Sequence, residues 1–381
     1  MSPSHSDAGR RIPALTGVRA LAAYLVFFHH QRTPWLEVGP LMLWWEFHVG
    51  VTLFFVLSGF VITWRYDRRG EARRESYLRD YAVNRIARIY PLYVVLVIPS
   101  LLYSHERRLL VWLSNLTVFT DFGAGIPQAW SLRVEECFYL AAPLVFWAWR
   151  RRPWLPFAAG AAVLAALVPV ARLPVLDGIL GPPTNLFLYT FFGRFFEFFV
   201  GVWLARRVMR TGIADPPRPG LPVYTIVGGL GIVGVIAGLA GIHAVTKHAY
   251  LYGLYHPAGI ALNNFVMPIF IAAFYRGLVQ ERSALRRLLS TPVADLLGRS
   301  SYAFYLVHFG VAREYVLSAL IFGATLVSAR AGAAVDGALH NLLVLFVLVN
   351  LLAIALYKTI EAPANRFLRR AFATHPTEPA A

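Results

Sequence analysis

Residues 14–31 read ALTGVRALAAYLVFFHHQ, an apolar and small-residue run interrupted by Arg19, His29 and His30. As a helix it would rise about 27 Å, close to the roughly 30 Å of a bilayer's hydrocarbon core. One such run can hide in a soluble core, so its recurrence decides the reading. Further runs follow near 46–64, 84–104, 131–149, 154–171, 187–205, 223–242, 257–275, 294–322 and 338–357. They are continuous rather than alternating, which argues against a β-barrel. The expected fold is all-α: a polytopic membrane protein of about ten transmembrane helices.

Composition agrees. The 381 residues are 57% hydrophobic and 15% charged, whereas a soluble domain carries about 25% charged residues. A net charge of +16 in a soluble protein would suggest nucleic acid. Here the arginines sit in short segments between apolar runs, so the bilayer is the expected partner and nucleic acid is not. The single Cys137 excludes an intramolecular disulfide and a cysteine-based metal site, and no metal is expected. The first run has no small-residue cleavage site behind it and is expected to remain as the first span. No internal repeat and no appended soluble domain are visible. The run 109–120 is short and polar enough to read as re-entrant or interfacial, and the proline-rich segment 211–222 reads as a loop. The expected organisation is one membrane domain over 1–371, followed by a short disordered tail at 372–381.

Orientation follows from lysine and arginine. The ends and loops holding Arg10, Arg11, the cluster from Arg65 to Arg79, Arg150 to Arg152, Arg206 to Arg218, Arg276 to Arg287 and Lys358 to Arg370 carry twenty-three basic residues. The alternate loops carry six: Arg32, Arg107, Arg108, Arg172, Lys247 and Arg330. The first set is expected in the cytosol, with both termini there and an even number of spans.

Ionisable groups inside spans cost roughly 2.5–3.5 kcal/mol each on insertion scales and are functional candidates. Eleven positions separate Arg19 from His30, three turns plus about 20°, so both share one face roughly 16 Å apart along the axis. His29 lies about 80° away from Arg19. A cation and an imidazole on one stripe suit an anionic donor at one end and proton chemistry at the other; they also suit a flanking arginine and an interfacial histidine pair. Arg85 and Arg88, at i and i+3 before Tyr90 and Pro91, are expected at a helix N-terminus, where they would form an anion site. For Arg85 by itself ordinary positive-inside anchoring is the favoured reading. Glu135, near the outer end of the fourth span, suits the orientation of an imidazole or an internal pair with Arg133 or an arginine of another span. Arg194 and Glu197 read as an internal structural pair. Ser301, Tyr302, Tyr305 and His308 form a polar stripe that lines a cavity or packs between helices.

Taken in order, these segments resemble the acyltransferase 3 family of bacterial membrane acyltransferases. The resemblance runs through Leu15-Thr-Gly-Val-Arg19 with His30 downstream, and Gly50-Val-Thr-Leu-Phe54-Phe55-Val-Leu-Ser58-Gly59-Phe60. It continues through Arg85-Ile-Ala-Arg88-Ile-Tyr-Pro91, Trp130-Ser131-Leu-Arg-Val-Glu135, Arg194-Phe-Phe-Glu197 and Gly298-Arg-Ser-Ser301-Tyr302, to Glu361-Ala-Pro363. Thr52 stands where the family commonly has Asp, Arg133 where it has a small polar residue and Cys137 where it has Gln. The role of the position held by Thr52 is therefore open.

The resemblance implies a ten-span enzyme of the bacterial inner membrane. It would take an acyl group, usually acetyl, from cytosolic acyl-CoA to a hydroxyl of an envelope or secreted carbohydrate or a glycosylated small molecule. Arg19, Arg85 and Arg88 would hold the acyl-CoA phosphates, His30 would act as base or acyl carrier, and Glu135 would orient it. The rival reading is a transporter or flippase of an envelope glycolipid, using the same intramembrane charges as a path.

Overall fold

The computed structural model describes residues 11–31, 39–67, 74–117, 125–173, 183–213, 219–246 and 252–373, and the regular elements among them are helical. In chain order the main helices are α1 Pro13–His30, α2 Gly50–Tyr66, α3 Arg74–Tyr103, α4 Leu109–Thr117, α5 Trp130–Arg151, α6 Leu155–Val170, α7 Phe191–Thr211, α8 Val223–Val245, α9 Met267–Gln280, α10 Ser301–Val307, α11 Val311–Val327, α12 Leu342–Leu356 and α13 Ala362–Phe372. A tight 3-10 segment, Gly39–Val49, leads directly into α2.

All ten expected segments fall on helices. Among the described residues six helices are long and apolar enough to cross a membrane, seven if the pair α10–α11, bent by 85°, is one broken span. Neither α1 nor α5 is among the six. These two carry the candidate chemistry, Arg19, His29 and His30 on one and Arg133, Glu135 and Glu136 on the other. Those polar side chains are what dilute their hydropathy. The run 109–120 contains only the nine-residue α4, followed by residues outside the described set. Of the proline-rich segment, 214–218 lie outside the described residues, as do 374–381 of the expected tail; α13 runs on to Phe372.

The chain divides into two compact units, Met1–Ala72 with Val134–Asp295, and Arg73–Arg133 with Leu296–Ala381. The first unit is built on α1, α2, α7, α8 and α9, whose buried Val18, Leu53, Phe60, Leu204, Leu239 and Ile271 share one core. Lipid tails are as apolar as leucine, so helices there associate through close backbone approach. The contact between α2 and α7 works in that way. A Cβ on Gly59 would run into the carbonyl of Phe198, and one on Gly201 into the carbonyl of Val56.

The second unit is organised around α3, which has Pro91 and Pro99 in its interior. Pro91 has no N–H for the carbonyl of Ala87, four residues back, and Asn365 of α13 donates its side-chain amide to that carbonyl at 2.9 Å. Tyr302 of α10 donates to the carbonyl of Ile89 at 2.9 Å. Within the same unit, Gln128 closes the broken end of α10, its Nε2 lying 2.9 Å from Leu306 O and 3.0 Å from Phe309 O.

The glycine contact predicts a contrast. Gly59→Ala should cost about 1–3 kcal/mol by forcing α2 from α7. Gly229→Ala, where a Cβ meets open space, should be neutral or gain up to about 1 kcal/mol. Thermal unfolding in detergent compares the two, and equal midpoints would contradict the contact.

Candidate functional site

Helix α1 starts at Pro13 and runs unbroken to His30, so the spacing argument applies: Arg19 and His30 share a face, about 16 Å apart along the axis. Both are half-buried. The Nδ1 of His30 lies 2.9 Å from the carbonyl oxygen of Val26 on the preceding turn. A carbonyl can only accept, so this nitrogen carries the proton and the lone pair resides on Nε2. The buried His29 is set the same way, with Nδ1 2.7 Å from Trp45 O.

Glu135 sits in the first turns of α5. Its Oε1 accepts hydrogen bonds from Ser58 at 2.6 Å and Tyr139 at 2.5 Å. The described partners of this carboxylate are therefore two hydroxyls, one of them from the Ser58-Gly59-Phe60 motif of α2, and they fix its orientation in the first unit.

The position where the family commonly has Asp is occupied by a working hydroxyl. Thr52 accepts from Arg194 Nη2 at 3.1 Å and donates to Asn263 Oδ1 at 3.0 Å. Arg194 also donates to Asn264 Oδ1 at 3.0 Å and pairs with Glu197 at 3.0 Å, so the expected internal pair is present and is buried. Both asparagines come from a π-helical turn, Leu262–Val266, whose extra residue turns two consecutive side chains inward. With Glu197 already answering the guanidinium charge, this network needs only a neutral hydroxyl at position 52.

The reading from sequence missed a second group in the first unit. Glu46 is fully buried, with Oε2 2.7 Å from His48 Nε2 and Oε1 accepting the Gly253 N–H at 2.7 Å. Next to this pair lies His29, 5.4 Å ring to ring from His48, 4.8 Å from Tyr252 and 5.0 Å from His30. The available signal was Glu46-Phe-His48 inside an apolar run. It looks like interfacial decoration until the Gly253 turn and α1 are brought against it.

In the second unit the helix bearing Arg85 and Arg88 begins at Arg74, not near residue 84. The two arginines thus lie in its interior, and a helix-terminus contribution to anion binding drops out. They keep one face. Arg88 forms an ion pair with the buried Glu361, through Nη1 and Oε1, and lies 5.5 Å from the ring centre of Tyr302. Its Nη2 is buried and makes no hydrogen bond among the described residues. The stripe on α10 is buried and bonded to neighbours: Ser131 Oγ lies 2.8 Å from Tyr305 Oη, and His308 Nδ1 lies 2.8 Å from Tyr305 O. The five expected site residues therefore divide, Arg19, His30 and Glu135 in the first unit and Arg85 and Arg88 in the second.

A family model described as "Acyltransferase domain" matches residues 12–358. Acyltransferase MdmB of Streptomyces mycarofaciens is 29% identical, over 96% of this chain and 95% of that protein. Peptidoglycan O-acetyltransferase OatA of Listeria monocytogenes is 26% identical, over 79% of this chain and 49% of that protein. A putative O-acetyltransferase of Staphylococcus aureus is 24% identical, over 79% and 51%. The chain thus spans nearly all of the first relative and about half the length of the other two. No solved structure matches it.

The Arg88–Glu361 pair yields a stability prediction. Arg88→Ala leaves a buried carboxylate without its partner and should cost about 3–5 kcal/mol, whereas replacing both members by methionine should recover most of that loss. Denaturation of the single and double variants measures it. A double variant no more stable than Arg88→Ala would contradict the pairing.

Proposed function

Because the chain belongs to the acyltransferase-domain family and is an acyltransferase, we propose that it moves an acyl group, acetyl in the first instance, from cytosolic acyl-CoA to a carbohydrate hydroxyl. The acceptor would be an envelope or secreted glycan or a glycosylated small molecule. The relative named for peptidoglycan O-acetylation supports a carbohydrate. The arginine asymmetry supports a place in the bacterial inner membrane with both termini cytosolic.

The observation that carries the chemistry is the tautomer of His30. Val26 holds the proton on Nδ1, so Nε2 presents its lone pair for proton removal from the acceptor or for brief attachment of the acyl group. In the reaction the acceptor oxygen attacks the thioester carbonyl and the carbon–sulfur bond breaks. The thiolate leaves with that electron pair and takes up the proton released by the hydroxyl.

Arg19, Arg85 and Arg88 are assigned to the donor's phosphates, and the uncommitted Nη2 of Arg88 supports this for that residue. Glu135, fixed by Ser58 and Tyr139, is assigned to the orientation of His30.

The test compares the O-acyl content of envelope glycans and secreted glycosides, by mass spectrometry and NMR, in cells carrying the intact protein or His30→Ala at matched membrane levels. Loss of one O-acyl group by about 10²-fold or more is expected for removal of a base. Unchanged acylation would remove His30 from the site, and a glycan redistributed across the membrane with acylation intact would favour transport.

For the donor, Arg88→Lys keeps a charge for Glu361 but loses the fork. Acyl-CoA binding should weaken about tenfold, the equivalent of one lost hydrogen bond to a charged group, while acceptor binding holds. Equal effects on both would sink the assignment.

A further inference from the structure

Acyl transfer to a sugar hydroxyl sets two tasks for imidazole chemistry. One is handling the thioester carbonyl, and the other is removing a proton from a weakly acidic alcohol. The second is helped when a carboxylate fixes the imidazole's tautomer and stabilises the imidazolium that forms. Among the described residues of the first unit, Glu46 and His48 are built that way. The carboxylate is fully buried and both its oxygens are engaged, one by His48 Nε2 at 2.7 Å and one by the Gly253 N–H at 2.7 Å. It is therefore fixed against rotation.

Since Glu46 accepts, Nε2 of His48 donates, and the lone pair of His48 lies on Nδ1. That atom has no hydrogen-bond partner among the described residues. The side chain of His48 is 13% exposed, in contrast to the fully buried Glu46. Its ring faces His29 edge-on at 5.4 Å and Tyr252 at 6.0 Å. His29 in turn stands 5.0 Å from His30, so three imidazoles run in a row from the Glu46 carboxylate to the end of α1.

We propose that His48, held by Glu46, is the base that takes the proton of the acceptor hydroxyl, and that His30 serves the thioester. This rests on the acyltransferase reading above and divides its two tasks between two histidines. As the acceptor oxygen attacks the carbonyl carbon, its proton passes to Nδ1 of His48. The carbon–sulfur bond breaks, the sulfur leaves as thiolate, and the imidazolium of His48 returns the proton to that thiolate through the row or through water. His48 is then a catalytic residue and Glu46 a positioning residue. The acceptor binds at the His48 and Tyr252 end of the first unit.

The experiment uses the full chain in membrane vesicles with acetyl-CoA as donor and two acceptors. One is the alkali-deacylated envelope glycan of the same cells. The other is hydroxylamine, whose nitrogen lone pair attacks without first surrendering a proton. His48→Gln should lower glycan acetylation by about 10²-fold or more, while acetohydroxamate formation stays within about threefold of the parent, well inside the range general-base loss would produce. Glu46→Gln keeps an acceptor for the Gly253 N–H but removes the charge. It should lower glycan acetylation by about tenfold, less than loss of the base itself, and spare the hydroxamate. In His48→Ala, added imidazole should restore part of the glycan product.

A His48→Gln protein that acetylates glycan at the parental rate overturns the proposal. So does loss of both products together in Glu46→Gln and His48→Gln that remain folded, because Glu46 would then merely pin the Gly253 turn. If the parent chain forms neither product, the acyltransferase reading itself fails and takes this proposal with it.

Discussion

A membrane interior offers no water, so each polar backbone group and each charge inside this protein has to be answered by another part of the protein. The rest of the architecture follows from that demand. Pro91 frees a carbonyl in the middle of α3, and Asn365 is spent on it. The break between α10 and α11 exposes carbonyl ends, and one side chain, Gln128, gathers them. Buried Arg194 takes Glu197 for charge and donates further hydrogen bonds to Thr52 and Asn264. Apart from Glu197, which lies one turn from Arg194 on the same helix, the answering groups come from distant stretches of chain.

The same demand explains why the candidate chemistry lies where it does. A histidine in an apolar helix is tolerated when a backbone carbonyl accepts a hydrogen bond from its ring N–H, and that bond sets its tautomer as a by-product. His29 and His30 are both set in this way. His48 differs because its partner is a carboxylate, Glu46, and not a backbone carbonyl. Glu135 is locked by two hydroxyls, those of Ser58 and Tyr139. The histidines and carboxylates of this unit thus differ by the partner each side chain met.

Much of this was legible in the chain itself. Apolar runs separated by arginines determined an all-helical membrane protein, because only spans about 20 residues long satisfy their own backbone in lipid. The spacing of Arg19 and His30 determined a shared face, since helical geometry is local and α1 is unbroken. The pairing of Arg194 with Glu197 was legible for the same reason: i and i+3 are neighbours on any helix. The order of motifs, from Arg19 to Glu361, determined the family.

Tertiary structure alone decided what those residues touch. The Arg85–Arg88 segment suggested a helix start, but the helix begins at Arg74, because the polar stretch before it continues the helix without a sequence-level stop. Arg88 turned out to face Glu361, 273 positions away. Thr52, unexplained by its neighbours in sequence, found its role only against Arg194 and Asn263. Glu46 and His48 became a dyad only when the Gly253 turn and His29 closed around them. Local periodicity fixes which face a side chain takes, whereas its partner depends on long-range helix packing, and no spacing along one helix encodes that.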